Sequence, residues 1–429
     1  MLADSVTEAP EQIARNLVDP KAYADWDVIH PTYAFLRAEM PVARVSYPGF
    51  DPFWAITRQA DIRMVSRNND LFHNNGNRAG LFSQSAFAEQ DAIAERVPPI
   101  RSLVNLDGDD HRKLRAITQK WFTPKHIRDL EEPIRAIARK AIGRIRDKEG
   151  EVDFVPDVAL GYPLSVIRSI LGVPEADEAL LLRMTQEFFA PSDPDLAREG
   201  TVSDDLSQGK STSVEALAQF MGYFADLTEN RRANPTGDVA SIIANAEIDG
   251  QLIDDWDATS YYITVATAGH DTTSASTAGA LWALSERPDL VEEIKADPGL
   301  IPGLVEEAIR WTTPIQHFMR TAMTDTEIAG QRIAAGDWLM LCYPSGNRDE
   351  TVFEDPFRFD ITRPTGQHLS FGHGGHLCLG MHLAKLEMRI FFEELFGVLG
   401  NVELVGEPRR IASLFIGGPK SVPVKFTFR

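Results

Sequence analysis

Cysteine is scarce. Cys342 and Cys378 are the two in 429 residues. They lie far apart and match no disulfide framework, so a reducing cytoplasm is expected. Long apolar runs are missing as well. No stretch approaches about 18 continuous apolar residues, so no membrane span is expected. The first residues, Met1-Leu-Ala-Asp-Ser-Val-Thr-Glu8, offer neither the basic nor the apolar region of a leader. Positive charge is in deficit, with 43 Lys and Arg against 63 Asp and Glu, a net charge of −20. That disfavours nucleic acid and anionic lipid as partners, though it leaves room for a local basic patch. There is no internal repeat and no Gly/Ser linker, so residues 1–429 are expected to form a single domain, with a β-rich part near 40–70. No Gly-x-Gly-x-x-Gly follows a strand, so any redox electrons must come from another protein.

What is present is a globular chain, 43% hydrophobic and 25% charged, long enough for a multilayered enzyme. Its most informative stretch is Phe371-Gly-His-Gly-Gly-His-Leu-Cys-Leu-Gly380. Glycine lets backbone turn tightly and approach a ligand. From Leu379 the apolar spacing becomes helical, through Met381, Leu383, Leu386 and Ile390. Cys378 therefore sits at a helix N-terminus, where free N–H groups and the dipole favour a thiolate. A thiolate so presented suits an axial iron ligand. His368, His373, His376 and His382 crowd the stretch, but the spacing of His373, His376 and Cys378 fits neither a zinc finger nor an HExxH site.

In chain order, residues 31–40 read as a helix, and Ala43–Tyr47 with Pro52–Arg58 as a hairpin. Gln59–Asn69 reads as a helix. Residues 72–105 lack clear period, and a loop of that length is usually functional. His111–Phe122 is a helix capped by Asp109 or Asp110, with His111 and Arg115 on one face. Helices follow at Lys125–Asp147, Asp157–Gly172, Glu175–Phe189 and Ser213–Ala233, the last two around a polar stretch, 190–212. Phe188 and Phe189 are pocket or core. Asp254–Glu286 reads as one helix of about 45 Å at 1.5 Å per residue. Its middle, Ala268-Gly-His-Asp-Thr-Thr273, is poor helix chemistry, and Thr hydroxyls there compete for carbonyls. Such violations cluster at functional sites. Ile301–Trp311 is a helix with Glu307 and Arg310 at i, i+3. Thr326–Pro344 alternates like strands, Leu379–Leu399 is a helix, and Gly417-Gly-Pro419 turns a C-terminal hairpin.

Phe371-Gly-x-Gly-x-His-x-Cys-x-Gly380 resembles the haem-binding signature of the cytochrome P450 monooxygenases. Residues 268–273 and 307–310 resemble two further signatures, in the family's order. The resemblance runs from about residue 20 to the end and points to the soluble bacterial members, closest to a branch acting on a monoterpenoid alcohol. It implies a mainly α fold with small β-sheets, triangular, its long central helix over the haem. It implies haem b with Cys378 as iron ligand, and Phe371, Gly372 and Gly380 in the haem loop. His111, Arg115, Arg320 and His376, with His368, are implied near the propionates. Ala268 and Gly269 would leave room for O2, Thr272 would offer a hydroxyl and Asp271 would relay protons. Glu307 and Arg310 would be structural. Leu81, Phe82, Ile100, Thr264, Ala268, Gln316, Phe318 and Phe415 would face a small apolar substrate, a monoterpenoid or aromatic hydrocarbon. The implied activity is hydroxylation or epoxidation by a monomer, with electrons from a [2Fe–2S] ferredoxin and its reductase. Arg112, Lys113, Lys385 and Arg389 are candidates for the ferredoxin face, or simply a solvated charged face. A haem sensor and a peroxide-dependent haem enzyme are the alternatives.

Overall fold

The computed structural model describes residues 7–74, 76–189, 193–196, 203, 205–208 and 214–429. The polar stretch 190–212 therefore falls largely outside the described residues, as do the side chains of Phe188 and Phe189.

One sheet carries the front wall of the site. Its strands are β1 (Val42–Val45), β2 (Phe53–Ile56), β3 (Phe72–His73), β4 (His317–Ala322) and β5 (Trp338–Cys342), in spatial order β1-β2-β5-β4-β3. The hairpin β1–β2 is antiparallel, with Val42 opposite Ile56, and β5 lies parallel to β2. On β4 the two-residue period sends Met319 to one apolar cluster with Phe53, Ala55, Met340 and Cys342. Phe318 and Arg320 point the other way, towards the interior of the molecule. Cys342 is fully buried in that first cluster, where burial pushes its thiol up, so it behaves as a small hydrophobe.

Most of the core is helical. The helices that shape the site are α1 (Gly108–Gln119), α2 (Gly161–Leu171), α3 (Glu178–Phe189), α4 (Asp255–Ala268), α5 (Asp271–Ser285), α6 (Ile301–Thr312) and α7 (Met381–Val398). Several expected boundaries move. The cap of α1 is Asp107, not Asp109 or Asp110, and its carboxylate accepts from the Asn74 N–H at 2.9 Å. The segment read as an unstructured loop holds a helix, Gln84–Ala94, capped by Ser83 on the Ala86 N–H. Its weak amphipathicity hid it. The helix read over 125–147 is two, Pro124–Arg128 and Glu131–Asp147. The long central helix is also two, parted at Gly269–His270. There the Gly269 N–H reaches the Val265 carbonyl at 3.4 Å, and the Thr272 hydroxyl takes the Ala268 carbonyl at 2.9 Å.

The sequence pair Glu307 and Arg310 is buried on α6, each side chain 2% exposed. Arg310 donates to both Glu307 oxygens at 2.7 Å, and to the carbonyls of Asn347 and Pro356 at 2.8 and 3.0 Å. Glu307 also accepts from the Asp360 N–H at 2.9 Å and Arg363 at 3.3 Å. This pair therefore pins the irregular segment 347–363 to α6. A buried pair is worth most when every lone pair and proton is used, and cutting one partner leaves an uncompensated charge. Arg310→Ala is expected to lose about 3–5 kcal/mol of stability. Urea unfolding followed by tryptophan fluorescence checks this.

Candidate functional site

A cavity of about 1090 Å³ lies between the helix break and the cysteine loop. Its roof is Ala268, Gly269, Thr272, Thr273 and Ser276; its floor is Cys378, Leu379, Gly380, Leu383 and Ala384. The loop is shaped by its glycines. Gly372 and Gly374 adopt φ of +71° and +77°. A Cβ on Gly374 would come within 2.1 Å of the Ser66 carbonyl. The Cys378 N–H closes the loop on the Phe371 carbonyl at 2.8 Å, and Arg115 ties it to α1 through the Leu377 carbonyl at 2.7 Å. Cys378 is exposed, but onto the cavity rather than the outer surface. Burial pushes its thiol up, opposed by the Gly380 and Met381 N–H groups at the start of α7 and by Arg115.

Around one rim stand cationic donors. Arg320 is 3% exposed; it donates to its neighbour's carbonyl, Met319, at 2.8 Å, and the Tyr343 hydroxyl and the Asp107 charge also act on it. Among the described residues it has no ion pair. His111 is buried, its Nε2 without a partner among the described residues, and its ring lies 4.1 Å from that of His376. Asn74 contacts His376 at 3.1 Å, and among the described residues its own Oδ1 has no partner. Burial first, then Arg320 and His111, push His376 down to about 3. Burial and Arg115 lower His111 as well. A cluster that resists its own protonation is one that an anion would relieve.

A flat macrocycle carrying an iron and two carboxylates fits these residues on three counts. A thiol faces the cavity at a helix N-terminus. The rim supplies buried donors that form no ion pair among the described residues. Gly380 faces the cavity with no atom within 4 Å of where its Cβ would stand, space that a side chain would fill.

The sequence-predicted residues are mostly brought together. Cys378, Phe371, Gly372, Gly380, His111, Arg115, Arg320, His376, Ala268, Gly269 and Thr272 all line the cavity. So do Leu81, Phe82, Ile100, Thr264, Phe318 and Phe415. Gln316 does not; its amide lies where a Cβ on Gly417 would be, 2.0 Å away. His368 turns aside to Glu306 at 3.2 Å. Asp271 also turns away from the cavity, with Oδ1 3.3 Å from His270 Nδ1. Gly269 is small for packing as much as for space. A Cβ there would meet Ile167 of α2 at 2.4 Å. The four docking candidates are all paired: Arg112 with Asp109, Lys113 with Asp249, Lys385 with Glu306, and Arg389 with Glu131 and Glu393.

One residue went unnoticed in the sequence. Glu387 of α7 lines the cavity at 1% exposure, its Oε2 without a partner among the described residues. Its place at every third to fourth position among Leu383, Leu386 and Ile390 was the available signal.

With this geometry in hand, the comparisons are direct. The family model described as Cytochrome P450 matches residues 50–297 and 300–397. The chain belongs to the cytochrome P450 family, and its activity is that of a P450 monooxygenase. It is 47% identical to Cytochrome P450-terp of a Pseudomonas species, over 99% of each chain. It is 35% identical to linalool 8-monooxygenase of Pseudomonas putida, over 95% of this chain and 98% of that one. The crystal structure of CYP108D1 from Novosphingobium aromaticivorans superposes with a TM-score of 0.90 at 45% identity, covering 99% of this chain and 100% of that one. No helix among the described residues is long and apolar enough to cross a membrane.

Burial raises the Glu387 carboxyl well above its ordinary 4.5. The folded protein therefore keeps a proton that the unfolded chain has lost, and stability falls as pH rises above about 4.5. The slope is at most about 1.4 kcal/mol per pH unit. Glu387→Gln is expected to be more stable than the parent at alkaline pH and equal to it in acid. Urea midpoints across pH check this.

Proposed function

We propose that the chain binds haem b and hydroxylates or epoxidises a small apolar substrate, a monoterpenoid or aromatic hydrocarbon, using O2 and electrons from a [2Fe–2S] ferredoxin. The observation that carries this is the cavity, with Cys378 on its floor, Ala268 and Thr272 on its roof, and Leu81, Phe82, Ile100, Thr264, Phe318 and Phe415 around it. When bound, the haem supplies the O2 activation and oxygen transfer that the protein's side chains lack.

The residues supply the rest. Cys378 would supply the thiolate that holds the iron, in a loop held by the Phe371 carbonyl and by Arg115 through Leu377. His111, Arg115, Arg320 and His376 would hold the two carboxylates. Thr272 keeps its hydroxyl proton on the Ala268 carbonyl, which leaves its oxygen free to accept a hydrogen bond from the cavity. The apolar wall orients the substrate by shape and excludes water. That wall, and the terpenoid named in linalool 8-monooxygenase, support the substrate class.

Two measurements test it. The reduced protein under carbon monoxide is expected to show the red-shifted Soret band of thiolate ligation, and Cys378→His to lose that shift. Monoterpenoids and small aromatics are expected to displace water from iron and shift the spin state. Charged or large polar molecules are not. A normal haem spectrum with no response to any apolar compound would reject the substrate class.

The electron donor is expected to dock on free cations. Lys120, Lys125 and Arg128 are exposed at the end of α1 and on Pro124–Arg128, a short helix packed against α7. Among the described residues they have no ion pair, unlike the four candidates read from the sequence. Lys125→Glu with Arg128→Glu is expected to raise the KM for an acidic ferredoxin several-fold at low salt, and less at high salt. KM for the organic substrate is expected to hold.

A further inference from the structure

The residue between the helix break and the acid is His270. It is fully buried, 0% exposed, although Gly269 and Thr272, on either side of His270 and Asp271, line the roof of the cavity. Its Nε2 lies 2.8 Å from the Leu160 carbonyl, just ahead of α2. A carbonyl only accepts, so Nε2 carries a proton. Its Nδ1 faces two oxygens, Thr185 Oγ1 on α3 and Asp271 Oδ1, each at 3.3 Å. The Thr185 hydroxyl donates its own proton to the Leu182 carbonyl at 2.9 Å. Nδ1 and Asp271 Oδ1 thus face each other, an arrangement that one shared proton would satisfy. The other Asp271 oxygen, Oδ2, is buried without a partner among the described residues.

We propose that His270 is a positioning residue for the acid, sharing one proton with Asp271 and holding its carboxyl turned away from the cavity. The inference rests on the monooxygenase reading above and adds a residue to it. Burial raises the Asp271 carboxyl, opposed by His270. Among the described residues His270 is the one charged or titratable group acting on that carboxyl. The elements packed around the pair contribute a carbonyl from Leu160, a hydroxyl from Thr185 and the apolar Ile167 against Gly269. Delivering the proton towards Thr272 requires the carboxyl to turn and give up Nδ1. The protein therefore holds its acid stocked with a proton but averted.

The test uses haem-loaded protein with ¹⁵N-labelled histidine. In Asp271→Asn the Nδ1 resonance of His270 is expected to move while Nε2 stays, because Leu160 is untouched. In the infrared difference between parent and Asp271→Asn, a protonated-carboxyl band is expected, and His270→Phe is expected to shift it. In turnover, His270→Phe is expected to lower product formed per NADH several-fold, with peroxide rising to match. An Nδ1 resonance that ignores Asp271→Asn overturns the proposal, and so does a carboxyl band that ignores His270→Phe. Should His270→Phe fail to fold, the nitrogen readout in Asp271→Asn still decides. A protein that makes no oxygenated product from any substrate rejects the monooxygenase reading instead, and leaves the nitrogen result standing on its own.

Discussion

Burying Arg320 with no ion pair among the described residues, the Asp107 charge answering it only through space, is the constraint on which the rest of the structure turns. A guanidinium stays charged under all ordinary conditions, and removing it from water is costly unless an anion answers it. Here burial lowers it, and His111 and His376 beside it are lowered in turn. A chain that needed only to fold would not gather two arginines and two imidazoles on the rim of an interior cavity. The main sheet exists in this arrangement to put Arg320 there, one strand position from Phe318. The loop at Cys378 is tied to the same rim through Arg115. Floor and rim are one construction, and an anionic, iron-bearing plate completes both.

The roof obeys a different logic. Helix α4 makes its last, long bond from the Gly269 N–H to the Val265 carbonyl at 3.4 Å, and α5 starts afresh with the Ser274 N–H on the His270 carbonyl at 3.0 Å. That break is what leaves Ala268 open to the cavity and directs Asp271 sideways. The Thr272 hydroxyl on the Ala268 carbonyl stabilises the break from inside the helix. Ile167 pressed on Gly269 stabilises it from outside, since any side chain there would collide. Asp271 and Thr272 adjoin in sequence, yet the break sends one to the cavity and the other to a buried imidazole.

Legibility divided along the same lines. Cys378 and its glycines, the pair Glu307 and Arg310, and the threonines at 272–273 could be read because each breaks or obeys a strong local rule. The hairpin of β1 and β2 was readable from its period. By contrast, the break at Gly269 was read as strain in one helix rather than an interruption, because helical residues continue on both sides. The helix Gln84–Ala94 was missed because its faces hardly differ. Gln316 was placed in the pocket, with Phe318, by the family resemblance. An even spacing puts those two on the same side of the strand, but Gln316 precedes the strand proper and its amide is claimed by the turn at Gly417. Docking cations were picked for proximity to the cysteine, and proximity says nothing about whether a carboxylate has already claimed them.

Substrate recognition is the least legible part, for a physical reason. The haem-facing residues are polar groups with directional partners, and each narrows what its neighbours can be. The wall made by Leu81, Phe82, Ile100, Phe318 and Phe415 is apolar, and apolar contacts are interchangeable so long as volume is kept. Those side chains come from segments remote in sequence. His317 joins two of them, accepting from the Leu81 N–H at 3.0 Å while its ring packs 5.9 Å from Phe415. Burial pushes this imidazole down to about 4, so near neutral pH it stays uncharged and able to accept that bond. A neutral imidazole thus links the segment after β3 to the C-terminal loop.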